Sequence, residues 1–221
     1  MITKREIMGN LICFTSPCGG SGCTSASMSL ARIASAHYEK RVLFLSFDVI
    51  SEKMAPVFGS EIEHGRVSIG ISLGRGNLAQ MLTVPVKKDE FGVSYISYPG
   101  YFNPFHNISE KDIKRVIEHI CSSELFDLLI LDIPFGNSIS ERICLCCEDV
   151  ILVSGYLEDQ KTYLKGFKDM FQREIDSMSK RASIHIFEPS EDKDSFADRD
   201  VDLHGQFGAE VRQLAEKLFG S

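Results

Sequence analysis

The sequence lacks any long apolar run. No stretch approaches the roughly 18 uninterrupted apolar residues of a membrane-spanning helix, and the first residues, MITKRE, do not begin the apolar segment of a secretory signal. These two absences argue against an integral membrane protein and against an exported one. We therefore expect a cytosolic protein.

The sequence also lacks a cysteine framework and an excess of basic residues. Its seven cysteines are an odd number scattered through apolar patterns, so they predict free thiols and not a set of disulfides. Lys and Arg total 24 against 31 Asp and Glu, which gives a formal net charge of −7. Because nonspecific binding to DNA depends on many cationic contacts to phosphates, this balance argues against nucleic acid as the main partner.

The chain has 221 residues, 43% of them apolar, which is enough for one domain with a substantial core. Short apolar runs alternate with amphipathic segments, the pattern of a doubly wound, mostly parallel α/β sheet with helices on both faces. We expect a single domain over residues 1–221. The predicted strands are 11–15, 42–48, 93–98, 126–132, 150–154 and 183–187, and the predicted helices are 24–37, 109–122, 140–147, 160–178 and 208–219.

Two segments have weaker patterns. Residues 50–86 contain several glycines and one helical turn at Leu78–Leu82, and we expect them to be rich in loops. Residues 188–206 are rich in Asp, Glu and Ser with little periodicity, which is typical of a solvated loop. Neither segment looks like a boundary between domains.

The loop between the first predicted strand and helix carries the functional argument. It reads Cys18-Gly19-Gly20-Ser21-Gly22-Cys23-Thr24-Ser25. A glycine-rich loop before a helix turns successive backbone N–H groups toward one anion, and the helix dipole favours that anion. Two aspartates, Asp48 and Asp132, end strands that should reach the same edge of the sheet. The alternative is that each aspartate caps a neighbouring helix or turn.

These motifs resemble the MinD/ParA family of P-loop ATPases. The family's phosphate loop has the pattern Lys-Gly-Gly-x-Gly-Lys-Thr-Thr, and six of those eight positions agree with residues 18–25, counting Ser25 as equivalent to Thr. The similarity continues through three apolar segments and covers roughly residues 10 to 155. These segments are Arg41–Asp48, Phe126–Pro134 and Glu148–Val153.

The resemblance implies a magnesium nucleotide, ATP or ADP, as ligand. Residues Cys18 to Ser25 would surround the phosphates, largely through backbone N–H groups, and Thr24 would offer its hydroxyl to Mg²⁺. Asp48 and Asp132 would hold the water shell of the metal, or would be the catalytic residues if the protein hydrolyses ATP. The resemblance also implies a homodimer that forms through the face carrying the phosphate loop.

The phosphate loop departs from the family at both lysines. Cys23 replaces the lysine that reaches the β- and γ-phosphates, and Cys18 replaces the signature lysine that reaches across the dimer. Phosphoryl transfer depends on positioned charge, and one cation changes the rate by about 10³ to 10⁵. We therefore expect slow or no hydrolysis. We also expect the helix N-terminus to lower the pKa of Cys23, so that its thiolate would repel phosphates.

Eroded phosphate loops are known in the TadZ/CpaE-like pilus-assembly members of this family, which act as positioning scaffolds. The sequence is similar to them in this respect and, weakly, in Gly205–Gly208. The leading hypothesis is thus a nucleotide-binding scaffold that localises or regulates a protein partner. One alternative is an active ATPase that uses a cation from elsewhere, such as Lys53 or Arg75, and another is an interaction module that binds no nucleotide.

Two further motifs are better explained by packing than by function. Cys144, Cys146 and Cys147 lack the spacing of a metal-binding knuckle, and Cys144 and Cys147 fit the buried face of a helix. The last helix is amphipathic but has mixed charge on its polar side, so we expect it to pack on the core. Membrane contact would then be at most peripheral.

Overall fold

The structure is a computed structural model that describes residues 10–47, 87–95, 110–122, 124–133, 143–144, 146–155, 157–177, 182–190 and 203–220. The described residues form seven strands and four long helices. The strands are β1 (Asn10–Thr15), β2 (Val42–Ser46), β3 (Lys87–Lys88), β4 (Ser94–Tyr95), β5 (Leu128–Asp132), β6 (Asp149–Val153) and β7 (Ser183–Phe187). The helices are α1 (Cys23–Tyr38), α2 (Glu110–Ser122), α3 (Glu158–Ser177) and α4 (Gln206–Phe219).

All seven strands join one sheet in the order β3-β4-β2-β5-β1-β6-β7. Every described pairing is parallel except that of β3 with β4. The predicted α/β class with a mostly parallel sheet is therefore confirmed. Because the strands are parallel, the carboxyl ends of β1, β2 and β5 meet at one edge, and this edge carries the phosphate loop.

Both faces of the sheet are covered, as the continuous apolar runs predicted. Side chains alternate along β1, so that Leu11 and Cys13 belong to one core cluster while Ile12 and Phe14 belong to the other. Helices α2 and α3 pack on the first face, and helices α1 and α4 pack on the second. The predicted core packing of the C-terminal helix is confirmed, because its apolar residues are buried. No helix in the described ranges is long and apolar enough to cross a membrane.

Several predicted boundaries are wrong by a few residues. Strand β2 ends at Ser46, two residues before its predicted end. The N–H of Phe47 still donates to the carbonyl of Asp132 over 2.8 Å, which continues the contact with β5 by one hydrogen bond. Helix α3 begins at Glu158 and α4 begins at Gln206, in both cases two residues earlier than predicted.

The helix predicted over residues 140–147 does not extend to its expected end. Ile143 and Cys144 have helical backbone. The next turn is closed by short-range bonds, because the N–H of Cys146 donates to Ile143 and that of Cys147 donates to Cys144. Cys144 and Cys147 are nevertheless buried among apolar side chains, as their positions predicted.

Some predictions fall outside the described residues. These include Asp48 as a site residue, the helical turn at Leu78–Leu82, and Lys53 and Arg75 as candidate cations. The sequence did not indicate strand β3, which pairs antiparallel with β4 through a turn at residues 89–92.

Candidate functional site

The loop that joins β1 to α1 begins with a side-chain turn at Ser16. The Ser16 hydroxyl accepts a hydrogen bond from the N–H of Cys18 at 3.2 Å and donates one to the carbonyl of Cys18 at 3.1 Å. Serine hydroxyls stabilise turns in this way when the backbone leaves a strand. The turn directs the following glycines over the N-terminus of α1.

Two glycines of this loop adopt conformations that L-residues rarely accept. Gly20 has φ 70° and Gly22 has φ 80°, both in the left-handed region. A Cβ atom built on Gly19, Gly20 or Gly22 would meet no atom within 4 Å, so the glycines border open space. Open space beside glycine backbone at a helix N-terminus is the shape that a phosphate group fits.

The first turn of α1 has no side-chain cap. The N-cap residue is Gly22, and no side chain forms a capping bond there. Thr24 instead donates its hydroxyl to Oδ2 of Asp132 over 2.8 Å. The free N–H groups of this helix end therefore remain available to a ligand above the loop.

Asp132 is the centre of a small polar cluster. It is only 4% exposed, and its Oδ2 accepts hydrogen bonds from Thr24 and from Ser46, the latter over 3.2 Å. The parallel register places Ser46 directly beside Asp132. The structure thus brings Thr24 and Asp132 together.

Ser46 was missed by the sequence interpretation. Ser46 belongs to no motif that the sequence analysis recognised, and it was assigned to an apolar strand. Its position one residue from the end of a run that leads to the sheet edge is the signal that could have indicated it.

The Thr24 and Asp132 pair fits a magnesium ion. Since the Thr24 proton is directed at Asp132, the lone pairs of its oxygen remain available to a cation. A hydroxyl oxygen with a nearby carboxylate is the kind of partial ligand set with which Mg²⁺ keeps several of its waters. Beside the open glycine cradle, these donors can hold the metal of a metal–phosphate complex.

The pKa values of both loop cysteines are raised and not lowered, which corrects the expectation for Cys23. Loss of hydration raises the pKa of the Cys23 thiol well above its usual value, and the charge of Asp132 raises it further. Partial burial raises the pKa of Cys18 as well, with a contribution from Asp159 at the start of α3. A raised pKa favours the neutral thiol, which neither attracts nor repels a phosphate as an ion.

A further glycine, which lies outside the loop and after another strand, packs against the loop. Gly155 follows β6 and has φ 73°. A Cβ atom at this position would lie 3.3 Å from Cα of Ser21 and would overlap the side chain of Gln160. Gly155 therefore lets the chain after β6 lie directly against the phosphate loop. The sequence interpretation missed it, although a glycine just past a buried strand at this edge is a usable signal.

Three of the remaining cysteines, Cys13, Cys144 and Cys147, are buried close to one another. All seven cysteines of the chain are free thiols. Cys13 on β1 contacts the thiols of Cys144 and Cys147, and burial raises the pKa of Cys13 well above its usual value. In the described parts of the chain, no three His, Cys, Asp or Glu side chains are placed to hold a metal ion.

Solved structures with this fold are found by structural comparison. The MinD chain of a MinC:MinD cell division protein complex from Aquifex aeolicus superimposes with a TM-score of 0.73 at 14% identity, covering 96% of each chain. MinD from Pyrococcus horikoshii OT3, complexed with Mg-ADP, gives a TM-score of 0.72 at 15% identity, again covering 96% of each chain.

A ParA family ATPase from Chlorobium tepidum TLS gives a TM-score of 0.63 at 18% identity, covering 96% of this chain and 80% of that one. No protein-family model matches the sequence, and no curated protein is similar enough to count as a relative. Because the sequence identities are no higher than 18%, these comparisons establish the fold alone. The chain has the P-loop fold of the MinD/ParA type.

Proposed function

We propose that this protein binds a magnesium nucleotide, ATP or ADP, at the loop between β1 and α1 and acts as a scaffold with slow or no hydrolysis. The observation that carries the proposal is the 2.8 Å hydrogen bond from Thr24 to Asp132 beside an open glycine cradle. It is supported by a fold shared with a MinD that was solved with Mg-ADP.

The role of each loop residue follows from the geometry. Gly19, Gly20 and Gly22 leave room for phosphate oxygens to approach the backbone, and the helix end supplies N–H donors. Thr24 offers a lone pair to the metal while Asp132 fixes its hydroxyl. Magnesium, when bound, would supply the positive charge that Cys18 and Cys23 do not.

Slow or absent hydrolysis follows from the same two cysteines. A neutral thiol at Cys23 donates only weakly and carries no charge toward the phosphates. Since a missing cation reduces phosphoryl transfer by about 10³ or more, bound nucleotide would persist and act as a structural ligand. Such a protein can hold one conformation for a partner over long times.

The scaffold would act through protein partners. We propose a single domain that pairs face to face around the loop and presents one surface to an assembly such as a pilus or secretion machine. The MinD in the Aquifex complex is solved with another protein, MinC, which supports a protein partner. The loss of both loop lysines, in which this sequence resembles TadZ/CpaE-like proteins, supports a positioning role more than a role in nucleotide turnover.

Calorimetric titration of the purified protein with Mg-ATP, Mg-ADP and Mg-GTP tests the proposal. We expect binding that Thr24→Ala and Asp132→Ala each abolish or weaken at least tenfold. Thr162→Ala, an exposed threonine on α3, is the matched control and should bind as the parent does. If both loop variants fold by circular dichroism and bind as tightly as the parent, the assigned site is wrong.

A phosphate-release assay tests the second half of the proposal. We expect no turnover above background in the presence of Mg-ATP. Turnover at rates usual for P-loop ATPases, and lost in Asp132→Ala, would instead support an active enzyme with a cation from another part of the chain. Absence of any binding in the titration would support a module that works without nucleotide.

A further inference from the structure

Helix α3 begins directly beside the phosphate loop. Gly155, which precedes the helix, approaches the loop so closely that a Cβ atom on it would lie 3.3 Å from Cα of Ser21. Asp159 in the first turn of α3 lies near enough to Cys18 for its charge to raise the pKa of that thiol. The first turn of α3 therefore lies at the same edge of the sheet as the loop, next to the site proposed for the phosphates.

The side chain of Gln160, in this first turn, is held against the loop. Its Oε1 accepts a hydrogen bond from the N–H of Leu157 over 3.3 Å, as glutamine does when it caps the start of a helix. A Cβ atom on Gly155 would overlap this Oε1 and would lie 2.9 Å from Cδ of Gln160. Because the same Cβ atom would also touch Ser21, the carboxamide of Gln160 and the loop backbone border one point.

The capping bond uses only half of this carboxamide. A backbone N–H needs an acceptor, so the oxygen faces Leu157 and the NH2 group keeps both of its hydrogens. Within the described residues this NH2 group forms no hydrogen bond. The backbone N–H of Gln160 is occupied, because it donates to Oδ1 of Asp159 over 2.9 Å. The side-chain NH2 group is thus a free donor beside the loop.

Capping alone does not require a glutamine at position 160. A glutamate would accept the same hydrogen bond from Leu157, and its negative charge would favour the N-terminal end of the helix. Glutamate, however, has no hydrogen to donate when it is ionised, and its charge would repel a phosphate. A glutamine therefore suits a helix start that also faces an anion.

We propose, on the basis of the function proposed above, that the NH2 group of Gln160 donates a hydrogen bond to a phosphate oxygen of the nucleotide at the loop. Cys18 and Cys23 leave the loop without the charged donors of the family pattern. A neutral amide beside the loop partly replaces them, because a hydrogen bond to a charged oxygen is stronger than one between neutral groups. Gln160 thus adds affinity without supplying the positive charge that phosphoryl transfer needs.

Gln160→Glu tests this role, because it keeps the capping acceptor and removes the two donor hydrogens. In calorimetric titration of the full chain with Mg-ADP, we expect the affinity to fall about tenfold or more, since a hydrogen bond to a charged group is lost. The Tm should stay the same or rise, because glutamate also caps the helix. Gln213→Glu, an exposed change on α4, adds the same charge and should bind Mg-ADP as the parent does.

A neutral variant separates the lost donor from the added charge. Gln160→Met should also bind Mg-ADP about tenfold more weakly, with a lower Tm because the cap is lost. If Gln160→Met binds as tightly as the parent, any loss in Gln160→Glu is repulsion alone and the proposed contact is wrong. The contact is also wrong if Gln160→Glu binds as the parent does, or if its Tm falls together with its affinity.

NMR spectroscopy of isotopically labelled protein follows the amide directly. The pair of side-chain NH2 signals that is missing from Gln160→Met belongs to Gln160, and we expect this pair to shift when Mg-ADP is added to the parent. Unchanged signals at saturating Mg-ADP would overturn the contact and leave the proposed nucleotide site intact. If the parent binds neither Mg-ADP nor Mg-ATP, the proposed function fails, and the role of Gln160 fails with it.

Discussion

Arg32 in the middle of α1 forms a buried ion pair with Asp89, with 3.0 Å between Nε and Oδ2, although 57 positions separate the two residues. Their side chains are 2% and 3% exposed. The guanidinium also lies 4.7 Å from the centroid of the Phe91 ring. The other carboxylate oxygen of Asp89 accepts hydrogen bonds from the N–H groups of Phe91 and Val93. This ion pair therefore anchors the β3–β4 turn to helix α1.

We predict that Arg32→Met destabilises the protein by about 3 to 5 kcal/mol, because it leaves the buried carboxylate of Asp89 without its cation. Asp89→Asn should also destabilise the protein, because it breaks the same buried ion pair. The double change Arg32→Met, Asp89→Asn should cost clearly less than the sum of the two single changes, because it leaves no unpaired buried charge. Chemical denaturation measures the free energy of unfolding of all three variants. If the loss in the double variant equals the sum of the losses in the two single variants, the two residues are not coupled.

Two buried serines should respond in opposite directions to replacement by alanine. Ser46 donates to the carboxylate of Asp132, so Ser46→Ala should cost about 1.5 to 3 kcal/mol. The Ser29 hydroxyl is buried in α1 without a hydrogen-bond partner in the described structure, so Ser29→Ala should raise stability by about 1 kcal/mol. Thermal denaturation of the two variants side by side tests this, and a loss in Ser29→Ala would mean that the hydroxyl has a partner.

Acid stability should depend in part on Asp127. Hydrogen bonds from the Arg41 side chain, the shortest 2.6 Å, and from its N–H lower the pKa of Asp127 to about 2. A carboxyl group whose pKa is lowered by folding stabilises the protein above its unfolded pKa of about 3.9, and that contribution is lost as the pH falls toward 2. Because the pair is largely exposed, the effect should be small.

The corresponding measurement compares Tm at pH 7 and at pH 3 in the parent and in Asp127→Asn. We expect the variant to lose less Tm between the two pH values than the parent does. Asp169→Asn, which removes an exposed carboxylate from α3, is the control and should behave as the parent. Equal losses in Asp127→Asn and the parent would contradict the lowered pKa.

Replacing Cys23 by lysine should restore the phosphate-facing charge. An ammonium near a phosphate contributes several kcal/mol at an effective dielectric of about 20, and much of this is lost to desolvation and to pairing with Asp132. We expect Cys23→Lys to tighten Mg-ATP binding by roughly tenfold or more, measured by calorimetry. Thr162→Lys on α3 changes the net charge by the same amount and should not tighten Mg-ATP binding. Unchanged affinity in a folded Cys23→Lys variant would show that the loop does not bind phosphate.

Hydrolysis should need a second change. Cys18 occupies the signature position, so Cys23→Lys alone should recover little phosphate release. The pair Cys18→Lys, Cys23→Lys should recover turnover if two chains meet face to face around the loop. If Cys23→Lys alone releases phosphate as fast as the double variant does, position 18 has no role in hydrolysis.

Local patterns in the sequence were sufficient for the class of fold and for the edge of the sheet at which Thr24 and Asp132 lie. The apolar runs of β1, β2, β5 and β6 predict a sheet covered on both faces, because a strand buried on two sides has no polar alternation. The phosphate loop and the strand-terminal Asp132 are then expected at the same edge of the sheet, since parallel strands end at one edge.

What the sequence by itself determined is thus the alternation of elements, the parallel sheet and the meeting of Thr24 with Asp132. Only the tertiary structure decided the pairing of Arg32 with Asp89, the raised pKa of Cys23 and the approach of Gly155 to the loop. The reason is physical: periodicity and turn chemistry act between near neighbours in the chain, whereas burial, charge proximity and contact between loops depend on residues that only folding brings together.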